Sequence, residues 1–203
     1  MKSAVLFSGG KDSTMALYQA IKNGDDLSYL LSMRSKNTES YMFHVPNIEI
    51  TDLISQAVDI PLIKIYTDGE KEKELDDLYN GLEKLKNLGV EAIYTGALYS
   101  TYQKSRIEKL ADKLDLKVIS PFWHVDQLQY MYDVIEAGFI VKVCGVFAEG
   151  LTKEWLGRTI DLEAIDELLK INEKVPINLA FEGGEAETIV LDGPIFKKRI
   201  KRN

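Results

Sequence analysis

The chain has 203 residues, 45% of them hydrophobic and 28% charged, enough to bury a real core in one large domain or one and a half smaller ones. A net charge of −7 argues against a surface built to hold RNA or DNA, where affinity comes largely from lysine and arginine on phosphates. No apolar run approaches the roughly 20 residues of a membrane helix, and Met1-Lys2-Ser3 enters an apolar run with no signal pattern before it, so a cytoplasmic protein with no membrane contact is expected.

Ala4–Phe7 reads as a first strand and Lys11–Lys22 as the helix that follows. Between them lies Ser8-Gly9-Gly10-Lys11-Asp12-Ser13, with Thr14 next. A strand, a glycine turn and a helix N-terminus make an anion cradle, because glycine lets backbone N–H groups approach closely and the helix dipole favours negative charge. Ser8, Ser13 and Thr14 add hydroxyls, and Lys11 adds a positive charge. The spacing is not that of a Walker loop, since Asp12-Ser13 follows Lys11 where Ser or Thr would be required.

Further along, strands are predicted at Leu27–Met33, Leu62–Tyr66, Ala92–Thr95 and Lys117–Ser120, and helices at Ile48–Val58, Glu70–Leu88 and Ser100–Leu114. This alternation predicts a parallel, twisted α/β sheet with helices on both faces. Leu75, Leu78, Leu82, Leu85 and Leu88 form a helical stripe that reads as core, and Gly89 ends that helix. His44, in Tyr41–Asn47, has two readings, a hydrogen-bonded structural histidine or a site residue. Beyond the fourth strand, Gly96 is expected to give backbone access to a ligand, and Ser100 to cap the helix. Gln103 and Arg106 fall one turn apart on one face, where arginine can grip phosphate or carboxylate and glutamine can read a polar edge.

From Asp126 the rhythm changes. A helix at Gln127–Ala137 and an apolar strand from Gly138 through Phe147 are predicted, with Cys144 as a small buried hydrophobe. Trp155 and Arg158, between glycines, read either as a lid or as a packed surface loop, and Leu162–Glu173 reads as a helix. In Glu182–Pro194, Gly183 and Gly184 bring backbone close to something, beside the carboxylates of Glu182, Glu185 and Glu187. If this is a strand, Glu185 and Glu187 share a face and suit a cation such as Mg²⁺, ammonium or a quaternary ammonium; the plain alternative is a glycine hairpin with solvated acids. Two histidines and one cysteine predict no zinc centre. The basic tail, Lys197 to Arg202, reads as solvated and frayed. The expected division is residues 1–125 for nucleotide and 126–203 for substrate, with the cleft at their junction.

The Ser8–Ser13 string resembles the PP-loop of the ATP pyrophosphatases, which split ATP between its α- and β-phosphates. It is joined by Met42-Phe43-His44, by Gly96 with Ser100, Tyr102, Gln103 and Arg106, and by Ala148–Leu151 and Trp155–Arg158. With the closing Glu182-Gly183-Gly184-Glu185, Glu187-Thr188 and Leu191–Pro194, the chain from Val5 to Pro194 resembles the diphthine–ammonia ligase, or diphthamide synthase, family in its compact archaeal form. Phe181 departs from the pattern, standing where a glycine is expected. The resemblance implies an adenine-nucleotide α-hydrolase-like, Rossmann-like fold with a smaller α+β substrate domain. It also implies ATP-dependent amidation of diphthine on translation elongation factor 2, through an acyl-adenylate, with ATP and Mg²⁺ required and free ammonium as nitrogen source.

On that reading Ser8, Gly9, Gly10, Lys11 and Ser13 hold the departing pyrophosphate, with Gly96 beside them, and Asp12 orients either the metal or the loop. Gln103 and Arg106 hold phosphates or the substrate carboxylate, with His44, Ser100 and Tyr102 on the substrate side. Glu182, Gly183, Gly184, Glu185 and Glu187 receive diphthine's quaternary ammonium or the incoming ammonium, and Glu185 is the base. Other functions consistent with the residues are a PP-loop ligase acting on a small carboxylate or a tRNA base, and an ATP-binding regulatory module without turnover. Elongation factor 2 is the implied protein partner, no stable nucleic-acid binding is expected, and a homodimer is compatible with the sequence.

Overall fold

The computed structural model describes residues 1–35, 45–68 and 70–201; Tyr41–His44 lies outside the described residues. The first part runs β1 (Lys2–Leu6), α1 (Lys11–Lys22), β2 (Asp26–Ser35), α2 (Val45–Val58), β3 (Leu62–Thr67), α3 (Lys71–Asn87), β4 (Ala92–Tyr94), α4 (Thr101–Lys113) and β5 (Lys117–Ile119). Its five strands pair in parallel, in the order β3-β2-β1-β4-β5. Successive side chains of a strand face opposite sides, and the core divides accordingly. Val5 and Leu30 pack with Leu17 of α1 and Ile54 of α2, whereas Ala4 and Leu31 pack with Leu82 and Leu85 of α3 and Ala111 of α4. The expected two-faced α/β sheet is therefore present, and the α3 stripe is core.

The strand order reverses between β1 and β4, so the loops leaving their carboxyl ends flank one crevice, the usual ligand position in open α/β sheets. Two elements are longer than their apolar runs predict. β2 continues to Ser35 because pairing with β3 continues through Arg34–Tyr66 and Ser35–Thr67. Arg34 is only 3% exposed, and its guanidinium reaches Thr51 and, at 3.7 Å, Asp52, which makes a charge tolerable inside the sheet end. α2 starts at Val45 and takes Pro46 into its first turn, where a missing N–H costs no helical bond.

The second part contains α5 (Gln127–Glu136), β6 (Ile140–Val146), a 3-10 turn at Lys153–Trp155, α6 (Leu162–Lys174) and β7 (Ala186–Asp192). Asp126 and Asp161 cap their helices by accepting N–H bonds from Gln129 and Ala164, 2.9 Å each. β6 and β7 form an antiparallel pair. Met131 and Val134 of α5, Ile165 and Leu168 of α6, and Val141 and Val143 of β6 share a core with Met15 of α1 and Leu98. On the far face of the pair, Ile189 and Leu191 pack with α1 and α2.

Trp155 is buried in that core, and Arg158 stacks over its ring, 4.4 Å from the centroid, while pairing with Glu167. The Trp–Arg segment is thus a packed loop. Within the tail, Lys197 to Ile200 is docked, contrary to the frayed terminus expected, while Lys197, Lys198 and Arg199 are exposed as expected. Lys197 donates its N–H to the Ala57 carbonyl at 2.7 Å, and Ile200 is buried and hydrogen-bonds the Leu191 carbonyl. Apolar Ile195, Phe196 and Ile200 supply the burial that charge counting overlooks.

α4 ends in a Schellman turn: Leu116 N–H reaches the Ala111 carbonyl and Asp115 N–H the Asp112 carbonyl, with Asp115 in the left-handed region at φ +53°. Asp115 is exposed, so Asp115→Gly removes backbone strain without loss of packing. The expected gain is about 0.5 kcal/mol, read as a Tm rise of about 1–2 °C by calorimetry; an unchanged or lower Tm contradicts it.

Candidate active site

The Ser8–Ser13 loop leaves β1 with Gly9 at φ +86°, a conformation glycine takes at little cost. Gly10 N–H donates to Ser8 Oγ at 3.4 Å, Ser8 N–H to Ser13 Oγ at 3.2 Å, and the Thr14 hydroxyl to the Gly10 carbonyl at 2.7 Å. Gly10, the N-cap of α1, has no side chain with which to cap the helix. The cap comes from β7: Lys11 N–H donates to Thr188 Oγ1 at 3.1 Å, and Val190 N–H to the Gly9 carbonyl at 3.0 Å. A Cβ on Gly10 would lie 3.2 Å from the Thr188 carbonyl oxygen, so this glycine admits β7 to the loop. The C-terminal strand is thereby bonded directly into the Ser8–Ser13 loop.

Lys11 is only 2% exposed. Its Nζ donates to Asp12 Oδ1 at 2.8 Å and to the Ala180 carbonyl at 2.6 Å, and lies 5.7 Å from the ring centroids of both Tyr130 and Phe181. A buried ammonium needs this neutralisation and these π-faces. Asp12 Oδ1 also accepts the Tyr130 hydroxyl at 2.8 Å. Burial first, and then the Asp12 charge, hold the Tyr130 phenol well above its ordinary pKa, so it remains a donor. These bonds hold the Asp12 carboxylate within the loop. Phe181, where glycine was expected, has φ +62°: the turn does ask for a left-handed residue, and the phenylalanine there covers Lys11.

Gly96 also admits another segment of chain. A Cβ there would sit 2.5 Å from the Asp12 carbonyl carbon and 2.8 Å from Ser13 N, so the glycine lets the β4–α4 loop lie directly on the first turn of α1. Glu182 fastens the same loop from the other side, its Oε1 accepting N–H bonds from Leu98 at 3.0 Å and Tyr99 at 3.1 Å. Burial raises the Glu182 carboxyl pKa, and those N–H groups oppose the shift. Ser100 is the N-cap of α4, its hydroxyl accepting Gln103 N–H at 3.3 Å. Gln103 joins Ser8, Asp12, Ser13, Gly96 and Glu182 around a cavity of about 210 Å³. Arg106 stacks on Tyr102, and with Gln103 both line an adjoining cavity against Met33 and Leu78.

The acidic turn is not one strand face. β7 begins at Ala186, and the Glu185 carboxylate folds back to accept Gly183 N–H at 3.1 Å, while Gly183 and the positive-φ Gly184 are exposed. Glu185 lies one residue before the strand, its carbonyl accepting the N–H groups of Phe147 at 2.9 Å and Ala148 at 3.2 Å while its side chain holds the turn. Glu187 is half-buried, and burial alone raises its pKa. It lines a second cavity, about 190 Å³, with Ser8, Gly10, Lys11, Asp12 and Cys144. Val143 opposes Thr188 and Gly145 opposes Glu187, so Cys144 is the extra residue of a bulge, which re-aims it toward the cavity. The cysteine is consequently partly exposed, not the buried hydrophobe expected.

A further cavity, about 280 Å³ and mostly apolar, opens at the carboxyl ends of β1 and β2 between Leu6, Phe7, Leu31, Met33, Arg34 and Thr51, and shares Ser8 with the cavities that Glu182 and Glu187 line. Its polar marks were legible: Ser32 and Arg34 share a parity inside an apolar strand and sit at its carboxyl end. Tyr130 carries no such signal, since with Met131 and Val134 it reads as core.

Residues 1–118 match the sequence profile of the diphthamide synthase N-terminal domain, and residues 126–203 that of the diphthamide synthase C-terminal domain. The diphthine–ammonia ligase of Homo sapiens is 32% identical over 98% of this chain and 82% of its own length. That of Schizosaccharomyces pombe is 33% identical over 98% of this chain, which spans only 36% of the fission-yeast protein. A solved protein from Methanocaldococcus jannaschii, described as a predicted subunit of tRNA methyltransferase, has a TM-score of 0.48 at 17% identity, covering 98% of this chain and 100% of that one; likeness at that level says nothing about chemistry. The profiles cover both the anion-cradle half and the acidic-turn half that the structure brings together, and on that evidence the chain belongs to the diphthamide synthase family.

Proposed function

We propose that this protein amidates diphthine on translation elongation factor 2, using ATP and ammonium and releasing AMP and pyrophosphate. The observation that carries the reading is a single loop, Ser8–Ser13, whose Ser8 and Asp12 border two cavities, one holding Glu182 and the other Glu187. A carboxylate does not react with ammonia because its leaving group would be oxide. Attack of the carboxylate on the α-phosphate makes AMP the leaving group, and the pyrophosphate released must be held by N–H donors and positive charge. Gly9, Gly10, Lys11 and Ser13 supply these, and the apolar cavity beside Phe7 and Met33 suits the adenine. Gln103 and Arg106 sit where phosphate or the substrate carboxylate can be met. Mg²⁺ on the ATP phosphates would add charge neutralisation, and Asp12 is the nearest carboxylate in the loop. The organisation we assign is residues 1–125 for nucleotide and 126–203 for substrate, in a cytoplasmic enzyme.

Ammonium must lose a proton before it attacks. Of the two glutamates after the glycines, Glu187 has the better surroundings for that base: a cavity wall, partial burial and a raised pKa. Glu185 shapes the turn and helps receive the cationic substrate. Glu187→Gln is expected to slow amidation about 100-fold with ATP affinity unchanged, and Glu185→Gln to slow it less. Equal effects of the two would remove the distinction.

The reading as a whole is tested by mass spectrometry of diphthine-bearing elongation factor 2 incubated with the protein, ATP, Mg²⁺ and ammonium. Replacement of a hydroxyl by an amino group, with AMP and pyrophosphate formed together, is the expected result. ATP cleavage without a change in the factor would point to another carboxylate; no cleavage would favour a regulatory nucleotide-binding role.

A further inference from the structure

We propose that Tyr130 is a positioning residue of this site: through Asp12 it sets the direction of the Lys11 ammonium toward a bound pyrophosphate group. The inference rests on reading Ser8–Ser13 as the loop that holds pyrophosphate. Tyr130 lies on α5, outside the sheet that carries the loop, and is only 1% exposed, so it cannot touch a substrate itself. Phenylalanine would fill the same space among Met131, Val134 and Phe122. The hydroxyl therefore needs its own explanation, and a buried tyrosine hydroxyl must find a partner. That partner is Asp12 Oδ1, at 2.8 Å.

The same oxygen accepts one N–H of Lys11, also at 2.8 Å. A lysine ammonium has three donors. The second goes to the Ala180 carbonyl at 2.6 Å, and the rings of Tyr130 and Phe181 flank the nitrogen. Two donors are thus fixed, and Lys11 also borders a cavity together with Ser8 and Gly10, so we assign the third donor to a ligand there. The Asp12 side chain is 30% exposed, so without the tyrosine hydroxyl its carboxylate is free to turn toward water and take the ammonium with it. Asp12 supplies the charge; Tyr130 supplies the angle.

Tyr130→Phe deletes the hydroxyl and keeps the ring, so the variant folds. Calorimetric titration with inorganic pyrophosphate and, separately, with AMP makes the test, since AMP lacks the group that Lys11 would meet. Pyrophosphate affinity should fall about tenfold, one charge-assisted hydrogen bond lost to misdirection, with AMP affinity unchanged. A merely structural tyrosine would move both ligands together or neither, and either pattern overturns the inference. In an Asp12→Ala background the tyrosine substitution should have no further effect; an undiminished effect there also overturns it. Failure of the unsubstituted protein to bind pyrophosphate would overturn the loop reading itself and this inference with it, a result distinct from normal binding that Tyr130→Phe leaves unchanged.

Discussion

Gly96→Ala is expected to destabilise this protein strongly. The new Cβ would lie 2.5 Å from the carbonyl carbon of Asp12, 2.6 Å from its oxygen and 2.8 Å from Ser13 N. These are backbone atoms in the first turn of α1, so no side-chain rotation relieves the contact. Either the β4–α4 loop or the helix N-terminus must move. Moving the loop strains the Leu98 and Tyr99 N–H bonds to Glu182, and moving the helix breaks the Thr188 cap. The cost is about 3 kcal/mol or more, at the upper end for overpacking. A Tm lowered by about 6–12 °C, together with loss of pyrophosphate binding by the folded fraction, is the predicted outcome. A variant with normal Tm and normal binding would show that the two segments are not in the contact described.

Asp12→Ala is expected to have the second largest effect, and on activity a larger one. It leaves the Lys11 ammonium, 2% exposed, with the Ala180 carbonyl and two rings but no directly paired carboxylate, only the attraction of Glu182. Breaking a buried pair by removing one partner costs about 3–5 kcal/mol; the lower end applies, because the Asp12 side chain is itself partly exposed and the other contacts of Lys11 remain. The substitution also strands the Tyr130 hydroxyl in the core. ATP-dependent AMP formation should become undetectable while the protein still melts cooperatively, which differential scanning calorimetry beside an AMP assay would establish. Asp12→Asn, which can still accept the tyrosine hydrogen bond but carries no charge, should recover much of the stability and little of the turnover. Full turnover in Asp12→Asn would mean that the charge on residue 12 plays no part in the reaction.

Local sequence was sufficient for the parts of this molecule whose physics is local. Glycine flexibility and a strand–helix boundary mark Ser8–Ser13 as an anion cradle. Apolar periodicity marks the α3 stripe as core, and the alternation of strands and helices marks a two-faced parallel sheet. The turn at Phe181 was legible as well, because the left-handed backbone is demanded by the turn whichever residue fills it. The acidic turn was half legible. Its carboxylates stand in the sequence, but that the Glu185 carboxylate folds back onto Gly183 is a side-chain hydrogen bond that period-two reasoning cannot see.

What only the tertiary structure decided are the contacts between residues far apart in the chain. Thr188 caps a helix that starts at Lys11, Glu182 ties down the Leu98 and Tyr99 amides, and Tyr130 holds Asp12. None of these residues shows its partner in the sequence, since a hydroxyl or carboxylate does so only when the fold closes a loop of many residues and makes the bond cheaper than hydration. The role of Gly96 belongs here too. Sequence can say that a glycine permits close approach, but that the backbone of Asp12 approaches Gly96 is visible only in the packing.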